Sequence, residues 1–284
     1  MDWIDRFNEA VRYIENHLTD TIDYNELAKI TCLSVWHFQK MFAPMAGIPL
    51  SEYIRRRRMS MAAADLQNGS EKIIDIALKY GYTSPTAFNR AFQSVHGIAP
   101  SAARKGGVTV KAFPPISFKI IIKGVEEMNY KIEEKPAFRI VGVTAPLSKD
   151  IDTNFENIPR FWSKISGDGQ TIPALLDAAD PNIRGVFGLC ICSDTKNWRY
   201  MIGCASSKEL PKPFESFTVP EMTWAVFSGE GACPKAIQEL EKRIYTEWLP
   251  TSGYTCDGGL DIELYLAPNP EAAVFEVWLP VRRC

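Results

Sequence analysis

Two groups of side chains in this 284-residue chain have the types and spacing to do chemistry. The first lies in two related stretches, SVWHFQKMF (34–42) and SPTAFNRAF (84–92). Helical spacing sends Phe38, Met41 and Phe42 to one stripe and leaves Trp36, Gln39 and Lys40 on the opposite face. In the second stretch Phe88 and Phe92 turn inward, and Ser84, Thr86, Asn89 and Arg90 turn outward. These outward sets suit duplex DNA. Gln and Asn can bond adenine bidentately, Lys and Arg can reach guanine or phosphate, and Trp can pack on a thymine methyl or a sugar.

The second group centres on DIELYLA (261–267). Period-two alternation puts Ile262, Leu264 and Leu266 on one strand face and Glu263 and Tyr265 on the other. If helices cover the aliphatic face, Glu263 and Tyr265 look into an open, concave side of a sheet. GLCIC (188–192) offers the small residues Gly188, Cys190 and Cys192 at the comparable face, leaving room above it. Trp162, Trp224, Tyr265 and Trp278 are the candidate walls. An acid between aromatic walls is the chemistry that holds a lipophilic cation, by charge pairing and cation–π attraction. The competing reading is a solvated Glu263 on an exposed sheet face, with the tryptophans in the core.

Other features carry less. Consecutive helical residues point about 100° apart, so Arg55–Arg58 cannot share a face, and structural ion pairs plus solvated side chains account for them. His37 and His96 read as packing or surface residues. Seven cysteines are scattered; the only close pair, Cys190 and Cys192, lacks the second half of a four-ligand site. No nucleophile–base set, phosphate loop or metal constellation is present, so neither a metal nor another cofactor is expected.

The elements that position these residues divide the chain. Ile4, Phe7, Val11, Ile14 and Leu18 recur at helical steps. Asp23 and Glu26 form a capping box, and Ser34, Ser51, Ser70 and Ser84 are caps for further helices. Pro85 falls on a first helical position, where a missing N–H costs nothing. Short helix, tight turn and serine-capped helix occur twice, at roughly 24–42 and 71–92, joined by a helix over about 51–67. Such a linker spans about 25 Å, enough to hold two readers near one DNA turn apart. After ARKGG (103–107) the pattern turns strand-like, in ISFKIIIKG (116–124) and FRIVGVTA (138–145). Two β-α-β-β units follow: FRIVGV, NIPRFWSKI, GVFGLCIC and WRYMIGCA, then TWAVFSG, PKAIQELEKRIYTEW, LDIELYLA and AVFEVWLP. They should pair into one antiparallel sheet with both helices against it.

The predicted fold class is therefore multi-domain. An all-α double helix-turn-helix domain spans 1–107, a connecting segment 108–127, and an α+β domain of two β-α-β-β units 128–284. The chain is 46% hydrophobic and 23% charged, ordinary for a soluble protein. No run of about 18 apolar residues exists, so no membrane span is expected. The acidic, amphipathic start predicts no signal peptide, and a reduced cytoplasm fits the unpaired cysteines. Net charge is −2, slightly positive over 1–107 and negative beyond, an asymmetry too mild to decide a partner.

Residues 8–104 resemble the DNA-binding domain of the AraC/XylS transcription regulators, on LSVWHFQKMFAPMAGIPLSEYIRRRRM and IIDIALKYGYTSPTAFNRAFQSVHGIAPSAAR. The resemblance implies DNA contact by Trp36, Gln39 and Lys40 from the first recognition helix and by Ser84, Pro85, Thr86, Asn89 and Arg90 from the second. Two departures stand out. Cys32 replaces a glycine common in the first turn, and Pro85 and Ala87 replace polar residues common in the second helix, which predicts that the first helix discriminates more. Residues 128–284 resemble the GyrI-like small-molecule-binding domain, on MNYKIEEKPAFRIVGV, WAVFSGEG, AIQELEKRIYTEWLPTSGY and DIELYLAP. That resemblance implies a multidrug-type groove between the two units with Glu263 at its centre. Together the resemblances imply a cytoplasmic, non-enzymatic transcription regulator. Its expected partners are promoter or operator DNA, RNA polymerase and a small hydrophobic or cationic effector. Some relatives of the second domain hydrolyse electrophilic compounds, which would make Glu263 a general base. Docking of a large protein partner is the other alternative.

Overall fold

A computed structural model describes residues 3–105, 107–119, 127–194, 196–267 and 269–283. Two compact units emerge, and they do not coincide with the two halves of the chain. One comprises Met1–Cys32 and Met45–Ile121; the other comprises Leu33–Pro44 and Ile122–Cys284.

The first unit is helical, with α1 (Trp3–Asn16), α2 (Tyr24–Thr31), α4 (Leu50–Asn68), α5 (Ile73–Lys79), α6 (Pro85–His96) and α7 (Pro100–Ala103). Asp23 caps α2 by accepting from the Asn25 N–H, and Ser84 caps α6 by accepting from the Ala87 N–H, with Pro85 in the first turn. Cys32 ends α2 at φ 56°, the left-handed region that glycine occupies without steric cost. Two expected caps shift. Ser51 lies inside α4, whose N-cap is Pro49, and α5 starts after Lys72 rather than at Ser70. Met59, Ala62, Leu66, Ile76, Phe88 and Phe92 form the core of α4–α7.

The arginine run is structural throughout. Arg55 and Arg56 pair with Glu52, Arg57 with Glu15, and Arg58 donates to the carbonyls of Leu18 and Asp20. His96 is buried, its Nε2 at 3.0 Å from the Met59 carbonyl and its Nδ1 accepting from the Lys111 N–H. That bond, with Phe113 N–H to Ser60 Oγ and Phe118 N–H to Asn8 Oδ1, ties the extended stretch before residue 119 along this unit. The strand expected at 116–124 is absent over 116–119; the rest of it, from 120, lies outside the described residues.

The second unit holds α3 (Val35–Ala46) through Pro44, and nine strands in one antiparallel sheet. These are β1 (Tyr130–Lys135), β2 (Phe138–Pro146), β3 (Val186–Ile191), β4 (Arg199–Ala205), β5 (Glu215–Val219), β6 (Met222–Gly231), β7 (Tyr254–Cys256), β8 (Leu260–Tyr265) and β9 (Ala273–Arg283). The order is β1-β6-β9-β8-β3-β4-β2-β5, with β7 also on β9. Both expected units form. The first is β2, α8 (Ile151–Gly167), β3 and β4, with α9 (Thr171–Ala178) added; the second is β6, α10 (Lys235–Arg243), β8 and β9. They meet at the β8–β3 pair.

The two sheet faces differ. One carries Phe187, Leu189, Met201, Trp224, Val226, Ile262, Leu264 and Trp278. Phe138 on β2 packs edge-on to Trp278 on β9 at 6.2 Å although three strands separate them in the order, so the sheet curls around this apolar face, leaving a cavity at its edge lined by Phe138, Leu264, Leu266 and Trp278. The other face carries Val143, Cys190, Tyr200 and Ile202, under Phe161 and Trp162 of α8 and Leu175 of α9. Among the described residues no helix is long and apolar enough to cross a membrane.

Candidate functional site

Glu263 sits at the seam between the two β-α-β-β units, opposite Gly188 in the β3–β8 register. Its carboxylate Oε2 accepts from the Tyr200 hydroxyl at 3.1 Å and the Tyr265 hydroxyl at 3.0 Å. The Trp162 indole N–H donates to the Tyr200 oxygen at 2.8 Å, and the Trp162 ring stands edge-on to Tyr265 with centroids 5.1 Å apart. Gly188 makes this possible: a Cβ there would collide with the Tyr200 hydroxyl. Burial, then the nearby Glu241 charge, push the Glu263 carboxyl up to about 7, against the opposing pull of Lys40 and the two tyrosines. Burial and the Glu263 charge raise both tyrosine pKa values, so Tyr200 and Tyr265 stay protonated donors.

The face bearing Glu263 is not open. Helix α8 covers it on the first unit and α10 on the second, where Leu240 lies over Gly229 and Phe275. The helices cover the polar-bearing face, and the aliphatic face is the one the sheet curls around, the reverse of the arrangement expected from alternation. The five expected pocket residues are therefore divided. Glu263, Tyr265 and Trp162 come together. Trp224 and Trp278 lie on the opposite face, because Trp278 pairs with Ile262 and Val226 in register, while Val277 is the β9 residue level with Glu263. Both indoles are buried in the apolar face, 6.0 Å apart.

Three acids, not one, gather on this covered face. Alternation along β8 puts Asp261 on the same face as Glu263, and Glu241 projects from α10. Asp261 is 4% exposed, and its neighbours come from α3. The Trp36 indole N–H donates to Oδ2 at 2.7 Å, His37 Nε2 lies 2.8 Å from Oδ1, and the Lys40 ammonium lies 3.2 Å from Oδ2. Lys40 also donates to Glu241 at 2.7 Å and stands near the rings of Tyr245 and Trp36. Burial would raise the Asp261 pKa, but the charges of Lys40 and His37 and the two ring N–H bonds hold it below the carboxylate range. Burial would likewise discharge Lys40, but Asp261 and Glu241 outweigh it and keep the ammonium charged. Asp261, Glu241, Tyr200 and Tyr245 were missed by sequence reasoning. The D-x-E-x-Y alternation of 261–265 signalled Asp261; nothing local signalled the others.

Of the residues expected at DNA, the second set is presented to solvent. Ser84, Pro85, Thr86, Asn89 and Arg90 are all exposed on α6, with Phe88 and Phe92 fully buried beneath. The first set is placed otherwise. Trp36 is 3% exposed, Lys40 is engaged by two acids, and Gln39 is half-buried. In this arrangement Trp36 and Lys40 face the acids of β8 and α10, not an open groove reader's surface. The paired cysteines are buried, and no group of three His, Cys, Asp or Glu suited to a metal occurs among the described residues.

Compared with known proteins, residues 131–281 match the family described as Cass2, integron-associated effector binding protein, and residues 27–106 match a helix-turn-helix domain family. The HTH-type transcriptional activator AarP of Providencia stuartii is 40% identical over 97 residues, 34% of this chain and 72% of that one. The right origin-binding protein of Escherichia coli (strain K12) is 30% identical over 183 residues, 62% of each chain, so less than two thirds of that relative is spanned. Among solved structures, SAV2435 bound to tetraphenylphosphonium aligns with 55% of this chain and 94% of its own, at 22% identity and a TM-score of 0.48. The two family matches agree with both resemblances read from the sequence.

Proposed function

The chain belongs to the integron-associated effector-binding family and carries an AraC-type helix-turn-helix domain ahead of it, and from that premise we propose a transcription regulator governed by a cationic, aromatic effector held at Glu263. The observation that carries this reading is the Glu263 carboxylate, part-buried, accepting from Tyr200 and Tyr265, with the Trp162 ring beside it. A carboxyl pushed up to about 7 is costly to ionise alone. An organic cation supplies the missing charge, and the tyrosine and tryptophan rings supply its apolar contacts. DNA is read by Asn89 and Arg90, with Ser84, Pro85 and Thr86 positioning α6 on the backbone, and by Trp36, Gln39 and Lys40 when α3 is available. Trp224 and Trp278 support the groove's floor from behind and do not touch the effector. RNA polymerase is the downstream partner, in the cytoplasm.

No hydrolytic step is assigned to Glu263. The curated relatives named above are a transcriptional activator and an origin-binding protein, and the carboxylate is already engaged by two hydroxyl donors. Calorimetric titration of the full chain with tetraphenylphosphonium, a lipophilic monocation, tests the effector reading. Binding is expected, weakened at least about tenfold in Glu263→Gln, the loss of one desolvated charge pair. Equal binding by the variant, or none by wild type, defeats the reading. Selection of duplexes from a random pool tests the other half; a pool recovered without sequence preference defeats it.

A further inference from the structure

We propose that α3 is the groove's own internal ligand: its Trp36–Lys40 face occupies the acid-lined groove between α8 and α10, so that an effector and the first recognition helix compete for one site. This rests on the effector reading above.

Four observations carry it. Trp36 and Lys40 are four residues apart and therefore share a helix face. That face makes the polar contacts of a bound ligand: indole N–H to Asp261 at 2.7 Å, ammonium to Glu241 at 2.7 Å and to Asp261 at 3.2 Å. Among the described residues, the side chains paired with Asp261 and Glu241 across 2.7–3.2 Å come from α3. The helix also bridges both walls. Trp36 shares an apolar cluster with Ile158, Phe161 and Trp162 of α8 and with Cys190 and Tyr200 of the floor, while Lys40 reaches Glu241 on α10 and the Tyr245 ring beyond it.

An indole beside an ammonium is the same chemistry as an aromatic organic cation. The residues that would meet DNA are thus the ones that satisfy the groove. Docked, α3 hides Trp36 and Lys40; undocked, it leaves Asp261 and Glu241 without their counter-charge. A buried ion pair adds little net stability over a well-solvated one, so the two states need not differ greatly in free energy. A ligand that binds only the vacated groove then shifts the population toward undocked α3. By linkage, the effector strengthens DNA binding, and DNA strengthens effector binding.

The test uses the full chain, a duplex recovered by site selection, tetraphenylphosphonium as probe, and two variants on opposite sides of the contact. In wild type, the probe is expected to tighten DNA binding and to raise hydrogen exchange across 35–44. Asp261→Asn should bind the duplex about tenfold tighter without probe and exchange freely over 35–44; Glu241→Gln repeats this if the first variant fails to fold. Trp36→Ala should bind the probe about tenfold tighter than wild type, as expected when a docked fraction near 0.9 is released. Equal probe affinity in wild type and Trp36→Ala, with exchange over 35–44 unmoved by saturating probe, overturns the proposal and leaves the effector reading standing. Conversely, if no form binds the probe while Asp261→Asn still frees α3 and tightens DNA binding, the cationic-effector reading falls and the internal-ligand proposal stands.

Discussion

At the scale of single residues, the contact between Tyr200 and Glu263 depends on one missing Cβ. Gly188 faces Glu263 across the β3–β8 pair, and any side chain there collides with the Tyr200 hydroxyl. Gly188→Ala should therefore push Tyr200 off Glu263, lowering stability by roughly 1–3 kcal/mol and abolishing probe binding, as read by denaturant titration and calorimetry. The Glu263 carboxyl yields a pH prediction of definite sign. Its folded pKa, about 7, lies above the ordinary glutamate value. The stability it contributes is present below the unfolded pKa and lost as pH rises through about 7. Wild type should lose melting temperature relative to Glu263→Gln between about pH 5 and pH 8. A cation binds the ionised form, so probe affinity should rise about tenfold from pH 6 to pH 8 in wild type and stay flat in Glu263→Gln. Gly188 and Glu263 were both visible in the sequence as same-face candidates, because alternation along a strand is a local property. Tyr200 was not, because its approach depends on which strand lies beside β3.

At the scale of elements, the two copies of one short helix have met different surroundings. Both carry a serine cap and a phenylalanine stripe, and the sequence shows that much. Yet α6 presents Ser84, Thr86, Asn89 and Arg90 to solvent, while α3 turns Trp36 and Lys40 onto Asp261 and Glu241. If α3 undocks as proposed, the expectation that the first helix does most of the discrimination applies to that state. With α3 docked, preference should come from α6. Asn89→Ala and Arg90→Ala should each relax preference at one base position, by about 1–3 kcal/mol, in competitive binding without effector. The turn before α3 adds a smaller feature. Cys32 is the one non-glycine with positive φ among the described residues, standing where the family resemblance expects glycine. The strand units were likewise legible from alternation and turn residues. Which face the helices would cover was not, since both faces of β8 carry large side chains.

At the scale of the whole molecule, the compact units follow packing instead of chain order: residues 33–44 belong with 122–284. Asp261 is where Trp36, His37 and Lys40 of α3 all meet β8. Its pKa is held below the ordinary carboxylate value, so its contribution is present above the unfolded pKa, about 3.9, and is lost as pH falls below it. Hydrogen exchange across 35–44, relative to the intrinsic amide rate at each pH, should therefore rise on acidification below about pH 4, before the sheet itself exchanges. Asp261→Asn should show that rise already at neutral pH; protection that persists in the variant would mean that apolar contacts of Trp36 hold α3 without the charge.

Local pattern was enough for the helices, for the Asp23 and Ser84 caps, for the doubled serine-capped helix, for the two β-α-β-β units, and for the sharing of one strand face by Glu263 and Tyr265. Each of these is set by steps of two, three or four residues. Tertiary structure alone decided that Trp162 joins Glu263 while Trp224 and Trp278 do not, and that Asp261 receives Trp36 from 225 positions away. Periodicity sorts residues into faces; it carries no information about what will cover a face. That is settled by sheet curvature, strand order and the matching of buried charges, which pair groups across the full length of the chain.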